Sequence, residues 1–128
     1  MYRLNYNCSV IVDVLVLVES ERKLREKSLV LREVIYGLRE ILDVGSIALI
    51  FGSAVENVKK AEDVDLLVVG KLSSEAKKKV KKIEGKINKS VHVVEVESLG
   101  DVSGALREEV RKKHLIVQGS ENIVRWLI

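Results

Sequence analysis

Hydrophobic residues follow a helical period in four parts of the chain. Between residues 20 and 42 the apolar positions form one stripe, with Ser20 as the predicted N-cap and Gly45 as the predicted stop. After Ser73 or Ser74 a second stripe consists of Ala76, Val80, Ile83 and Ile87. Two further helices are predicted over residues 102–113 and after Ser120, which we expect to cap the last one.

Four short apolar segments predict β-strands between these helices. They are "IALIF" (Ile47–Phe51), "DVDLLVV" (Asp63–Val69), "VHVVEV" (residues 91–96) and residues 114–117. Strands that alternate with helices indicate an α/β (α+β) fold. We expect a small mixed β-sheet of four or five strands, backed by helices on one side.

Residues 10–18 are apolar except for Asp13, and their pattern fits a strand or a helix equally well. The run is too short to span a bilayer, and it lacks the features of a signal peptide. It needs cover from the rest of the fold or from a second copy of the chain, so we expect a homodimer. We therefore divide the chain into an N-terminal segment, residues 1–20, and a domain, residues 21–128.

Composition narrows the class of protein. A chain of 128 residues fits one soluble domain, and the net charge of +3 suits an anionic ligand. The single Cys8 excludes an internal disulfide and a cysteine-rich zinc site, so a cytoplasmic location is expected. A lysine-rich face over residues 77–89 could bind nucleic acid, but without interleaved aromatic residues a solvated helix face is the favoured interpretation.

The candidate chemistry lies at the ends of two strands. Asp63 and Asp65 alternate on one strand, so their side chains share a face at a spacing of roughly 6–7 Å. Two carboxylates in this arrangement repel each other and suit Mg²⁺, although such a pair also occurs as solvated charges at a strand end. The turn at Gly52 and Ser53 can bring backbone N–H groups to a phosphate, or it can be an ordinary turn.

Together these motifs, "ALIFGS" followed by "DVDLLVV", resemble the minimal nucleotidyltransferases of the polymerase β-like superfamily. The resemblance covers residues 24–128, and "YRLNYN" near the start is similar to the last wing strand of relatives with a winged helix. It implies transfer of a nucleoside monophosphate from an NTP to an acceptor hydroxyl, with Mg²⁺ or Mn²⁺ as cofactor. Asp63 and Asp65 would hold the metal, and Gly52 and Ser53 would bind the nucleotide.

The chain departs from the family pattern at two places. His92 stands where the family has a third carboxylate, and it is expected to be either the catalytic base or a half-buried strand histidine. Glu95 is three residues on, so strand alternation turns it to the opposite face.

The second departure is "VEN" at residues 55–57, which lacks the basic residue that relatives carry after Gly-Ser, and Lys59 or Lys60 could replace it. These departures support an alternative function. The chain would then be a catalytically weak or inactive antitoxin that binds a HEPN-type protein.

Overall fold

The structure, a computed structural model, describes residues 10–19, 29–43 and 45–128. The predictions for Ser20, Cys8 and "YRLNYN" lie outside these residues. In chain order the elements are α1 (residues 10–19), α2 (Leu29–Arg39), β1 (Ile47–Phe51), α3 (Ser53–Glu56), β2 (Asp63–Val69), α4 (Ser74–Ile87), β3 (Ser90–Val96), a 3₁₀ turn (Leu99–Asp101), α5 (Gly104–Lys112), β4 (His114–Gln118) and α6 (Ser120–Leu127).

The four strands form one mixed sheet in the order β3-β2-β1-β4. Strand β1 is antiparallel to both β2 and β4, whereas β2 and β3 are parallel. Asp65 is paired with Phe51 on one side and with His92 on the other. The predicted fold class is therefore confirmed. The register brings the end of β1 next to the first residues of β2 and β3.

Helices cover both faces of the sheet, so the expectation of helices on one side was wrong. Ala48 and Ile50 of β1 belong to a buried cluster with residues of α2 and α4. Leu49 belongs to a second cluster, which includes Val110 of α5 and Ile123 of α6. The reason is visible in β1 itself, because a strand whose residues are all apolar needs cover on both sides.

The ends of the helices follow from local chemistry. Ser73 caps α4, since its Oγ accepts a hydrogen bond of 3.1 Å from the backbone N–H of Ala76. Helix α4 ends at Ile87, and its C-cap, Asn88, adopts the left-handed conformation with φ of 55°. Helix α6 begins at Ser120, but its N-cap is Gly119, so the predicted serine cap is displaced by one residue.

Residues 10–19 form a helix, which resolves the question that their pattern left open. Val12 is buried in the cluster that covers β1, and Glu19 is buried at the end of the helix. The opposite face is apolar and exposed; it consists of Val10, Ile11, Val14, Leu17 and Val18. In the described part of the chain, no helix has the length and hydropathy needed to cross a bilayer.

Candidate functional site

The turn after β1 brings its backbone against a carboxylate of β2. Gly52 has φ of 78° and ψ of −154°, a backbone conformation that residues with a Cβ rarely adopt. A Cβ placed on Gly52 would lie 2.9 Å from Oδ2 of Asp65. Glycine is therefore required here on two grounds, the backbone conformation and the close approach of Asp65.

The two predicted aspartates lie on one face of β2 at the mouth of a cleft. Asp63 is exposed, and the side chain of Asp65 retains 27% of its exposure. The cleft has a volume of about 560 Å³, and its lining consists of Ser53, Glu56, Asn57, Lys60, Ala61, Glu62, Asp63 and Asp65. The Gly-Ser turn and the aspartate pair, which lie ten residues apart in sequence, therefore border the same space.

His92 lies next to Asp65 because β2 and β3 are parallel and in register. Its Nδ1 is 3.5 Å from Oδ1 of Asp65, a distance longer than a strong charge-assisted hydrogen bond. The His92 side chain is 71% exposed, so the alternative of a half-buried histidine was wrong. Its imidazole can reach solvent and any molecule bound over the aspartates.

Glu95 is on the opposite face of β3, as predicted. It is paired with Val68, and its Oε2 accepts a hydrogen bond of 2.7 Å from the backbone N–H of Leu72. It therefore cannot serve as the missing third carboxylate. Within residues 10–19, 29–43 and 45–128, no three histidine, cysteine, aspartate or glutamate side chains converge as a metal site.

The donor set at Asp63 and Asp65 nevertheless fits Mg²⁺. This ion takes one or two protein carboxylates and completes its coordination with substrate phosphate and water. Both aspartates border an open cleft next to a turn that a phosphate can approach. A metal held here would be shared between the protein and a nucleotide rather than enclosed by protein ligands.

Two charged residues next to the cleft, Glu109 and Lys113, were not identified from the sequence. Oε1 of Glu109 lies 3.6 Å from the position that a Cβ on Gly52 would take. Nζ of Lys113 is 2.5 Å from Oε2 of Glu56, which lines the cleft. Glu109 lies in the last turn of α5, and Lys113 is the residue that caps the end of this helix. The sequence does not show that the end of α5 lies next to the Gly52 turn.

Of the two lysines considered as replacements for the missing basic residue, Lys60 lines the cleft. Lys59 is exposed and is not among the lining residues. The loop after α3 turns back on itself, because the carbonyl of Asn57 accepts hydrogen bonds from the backbone N–H groups of both Lys60 and Ala61. This turn directs Lys60 to the cleft.

The sheet order and the helices on both faces of the sheet give the chain a nucleotidyltransferase fold. No protein-family model and no curated protein matches the sequence at a significant level. Among solved structures, the chain is similar to a chain of a toxin–antitoxin structure solved with AMP-PNP. The identity is 20% and the TM-score 0.53, over 75% of this chain and 82% of that chain.

Two other solved structures are similar to the same degree. One is the toxin–antitoxin MntA–HepT, at 18% identity and a TM-score of 0.52, over 77% of this chain and 79% of that chain. The other is the tri-AMPylated HEPN toxin of Shewanella oneidensis in complex with an MNT antitoxin. Its identity is 19% and its TM-score 0.50, over 77% and 82% of the two chains. At these identities the similarity establishes the fold, as the sequence motifs implied.

Proposed function

We propose that this protein is a Mg²⁺-dependent nucleotidyltransferase that transfers a nucleoside monophosphate from an NTP to a hydroxyl group of a HEPN-type partner protein. One observation carries the proposal. The pairing of Asp65 with Phe51 sets the aspartate face of β2 beside the Gly52 turn, at the mouth of one cleft. Metal ligands and a phosphate-binding turn are needed together in this reaction.

Each site residue has a role in this proposal. Asp63 and Asp65 hold Mg²⁺, or Mn²⁺ in its place, and the metal neutralises phosphate charge when it is bound. Ser53 donates a hydrogen bond to a phosphate oxygen, and Gly52 lets the backbone approach it. The acceptor oxygen attacks the α-phosphorus, the bond to the β-phosphate breaks, and pyrophosphate leaves. His92 is the candidate base for the hydroxyl proton because it is exposed and lies beside Asp65.

The similar structures support both the nucleotide and the partner. One was solved with AMP-PNP, and another contains an AMPylated HEPN toxin together with its MNT antitoxin. ATP is therefore the first nucleotide to test, and a HEPN-type protein is the first acceptor to test. A chain with one cysteine is compatible with the reducing cytoplasm in which such a pair would act.

Titration calorimetry with Mg·ATP tests the site. Replacing both aspartates, Asp63→Asn with Asp65→Asn, is expected to abolish metal-dependent binding of ATP. The matched control is Glu97→Gln with Glu121→Gln, which removes the same charge from exposed positions outside the cleft lining. Equal affinity in the aspartate variant and the control would exclude the site. Transfer is measured with labelled ATP and the purified HEPN-type protein.

A second function, that of an antitoxin without transfer activity, is favoured by one feature of the site. Strand β3 offers His92 and no carboxylate on the face of Asp65. In this case the protein would bind ATP and the HEPN-type protein, and no label would enter the partner. Inhibition of the partner by the wild type and equally by Asp65→Asn would identify this function.

The exposed face of α1 supports a homodimer. Its five apolar side chains recur at spacings of three and four residues, as on a helix that packs against another helix, and Leu17 is 70% exposed. Light scattering in dilute buffer should give twice the mass of the chain. Leu17→Glu should give the monomer mass, with Asp13→Asn as a control on the same helix. A monomer mass for the wild type would contradict the proposal.

A further inference from the structure

The cleft is more negative than a nucleotide site requires. Its lining contains the four carboxylates of Glu56, Glu62, Asp63 and Asp65, and the one ammonium group of Lys60. A bound triphosphate adds further negative charge, and a divalent cation offsets only part of the total. Because like charges repel strongly where solvent is partly excluded, a nucleotide in this cleft needs a second cationic group nearby.

Lys113 is the cation placed to meet this need. Its Nζ is 2.5 Å from Oε2 of Glu56, so the ammonium group is held at the wall of the cleft. The backbone that carries it is fixed, because Val110 is buried and its carbonyl is 2.8 Å from Nδ1 of His114. The cation therefore lies just after the end of α5 and contacts Glu56, the last residue of α3.

The ion pair itself can exchange partners. The side chains of Lys113 and Glu56 are 43% and 61% exposed, and exposed ion pairs contribute little to stability. A phosphate group offers several acceptor oxygens and more negative charge than one carboxylate. Moving the ammonium from Glu56 to a nearby phosphate thus costs little and gains a stronger acceptor.

We propose that Lys113 is a nucleotide-binding residue that contacts the β- or γ-phosphate of the NTP, and that Glu56 holds its ammonium at the cleft until the nucleotide binds. This inference rests on the proposed nucleotidyltransferase site. It assigns to Lys113 the selection of triphosphates over monophosphates, because AMP has no phosphate beyond the α position. It assigns to Glu56 the role of a competitor that keeps the affinity moderate.

Calorimetry with Mg·ATP and with AMP tests the assignment. Lys113→Met is expected to weaken ATP binding about tenfold and to leave AMP binding unchanged. Glu56→Gln is expected to tighten ATP binding a few-fold, since it removes the competing carboxylate. The matched control is Lys112→Met, the same change on the neighbouring residue, which is exposed and takes part in no ion pair with the described residues.

The outcomes separate this inference from the function on which it rests. ATP binding that depends on Asp65 but is equally strong in Lys113→Met and Lys112→Met would overturn the role of Lys113 and leave the proposed function intact. Equal losses for ATP and AMP in Lys113→Met would indicate a structural role and would also overturn it. Wild-type protein that binds no ATP would overturn both proposals.

Discussion

Replacing Gly52 by alanine tests whether the turn and the aspartate pair act as one unit. The new methyl group would meet two obstacles. The backbone at Gly52, with φ of 78° and ψ of −154°, lies in a region that is essentially confined to glycine. The methyl carbon would also lie 2.9 Å from Oδ2 of Asp65, closer than real Cβ contacts. Asp65 must therefore move away from the turn, or the turn must rearrange.

The energetic cost can be bounded. Holding a residue other than glycine in this conformation costs about 1–3 kcal/mol. Domains of this size are typically stable by about 5–15 kcal/mol, so Gly52→Ala should fold. Its melting temperature should fall by about 4 °C for each kcal/mol lost. Because Asp65 is displaced as well, the variant should also lose metal-dependent nucleotide binding.

Gly70→Ala is the matched control. Gly70 also has a positive φ, of 103°, but nothing lies within 4 Å of the position that its Cβ would take. Both variants should therefore melt at lower temperature, as measured by calorimetry, while only Gly52→Ala should fail to bind Mg·ATP. If Gly52→Ala bound Mg·ATP with the same affinity as Gly70→Ala, the close approach of Asp65 to the turn would have no part in nucleotide binding. The site as described would then be incorrect.

Three further predictions concern residues around the site and the core. His92→Asp should raise the rate of label transfer, because the aspartate would replace the imidazole as base and add a third carboxylate beside Asp63 and Asp65; a base contributes about 10²–10⁴-fold, so an equal or lower rate would contradict the prediction. Glu19→Ala should lower the free energy of unfolding by about 3 kcal/mol, as measured by urea denaturation, because it removes the hydrogen-bond partner of the buried His114 ring. A decrease below about 1 kcal/mol would contradict this prediction. Lys86→Ala, which removes an exposed ion pair with Glu33, should change stability by less than about 1 kcal/mol in the same assay.

The strands and the core of the site could be predicted because their signals are local. In β1 five successive apolar residues end at a glycine, and in β2 two aspartates alternate at the start of an apolar strand. Strand alternation alone puts Asp63 and Asp65 on one face and, on β3, turns Glu95 away from it. Such inferences need no knowledge of which elements are neighbours in space.

Helix α1 could not be predicted from local sequence patterns. A helix is identified by polar residues on one side, and in residues 10–18 only Asp13 is polar. The face that packs inward is marked instead by Val12 and Glu19, and Glu19 is 2.9 Å from the His114 ring, 95 residues away in the chain. A buried glutamate with so distant a partner looks in sequence like any solvated charge at a helix end.

The charges that α5 brings to the cleft could be anticipated only once the sheet topology is known. Asp65 and Leu67 point to the same face of β2, and Leu67 belongs to the buried cluster that contains Val110 of α5. A helix that covers the apolar part of this face must end beside its polar part. Glu109 precedes Val110 on that helix and Lys113 directly follows the helix, so the packing of Val110 helps to set a carboxylate near Gly52 and an ammonium group beside Glu56. The charge next to the cleft therefore depends on a helix that the site motifs do not include.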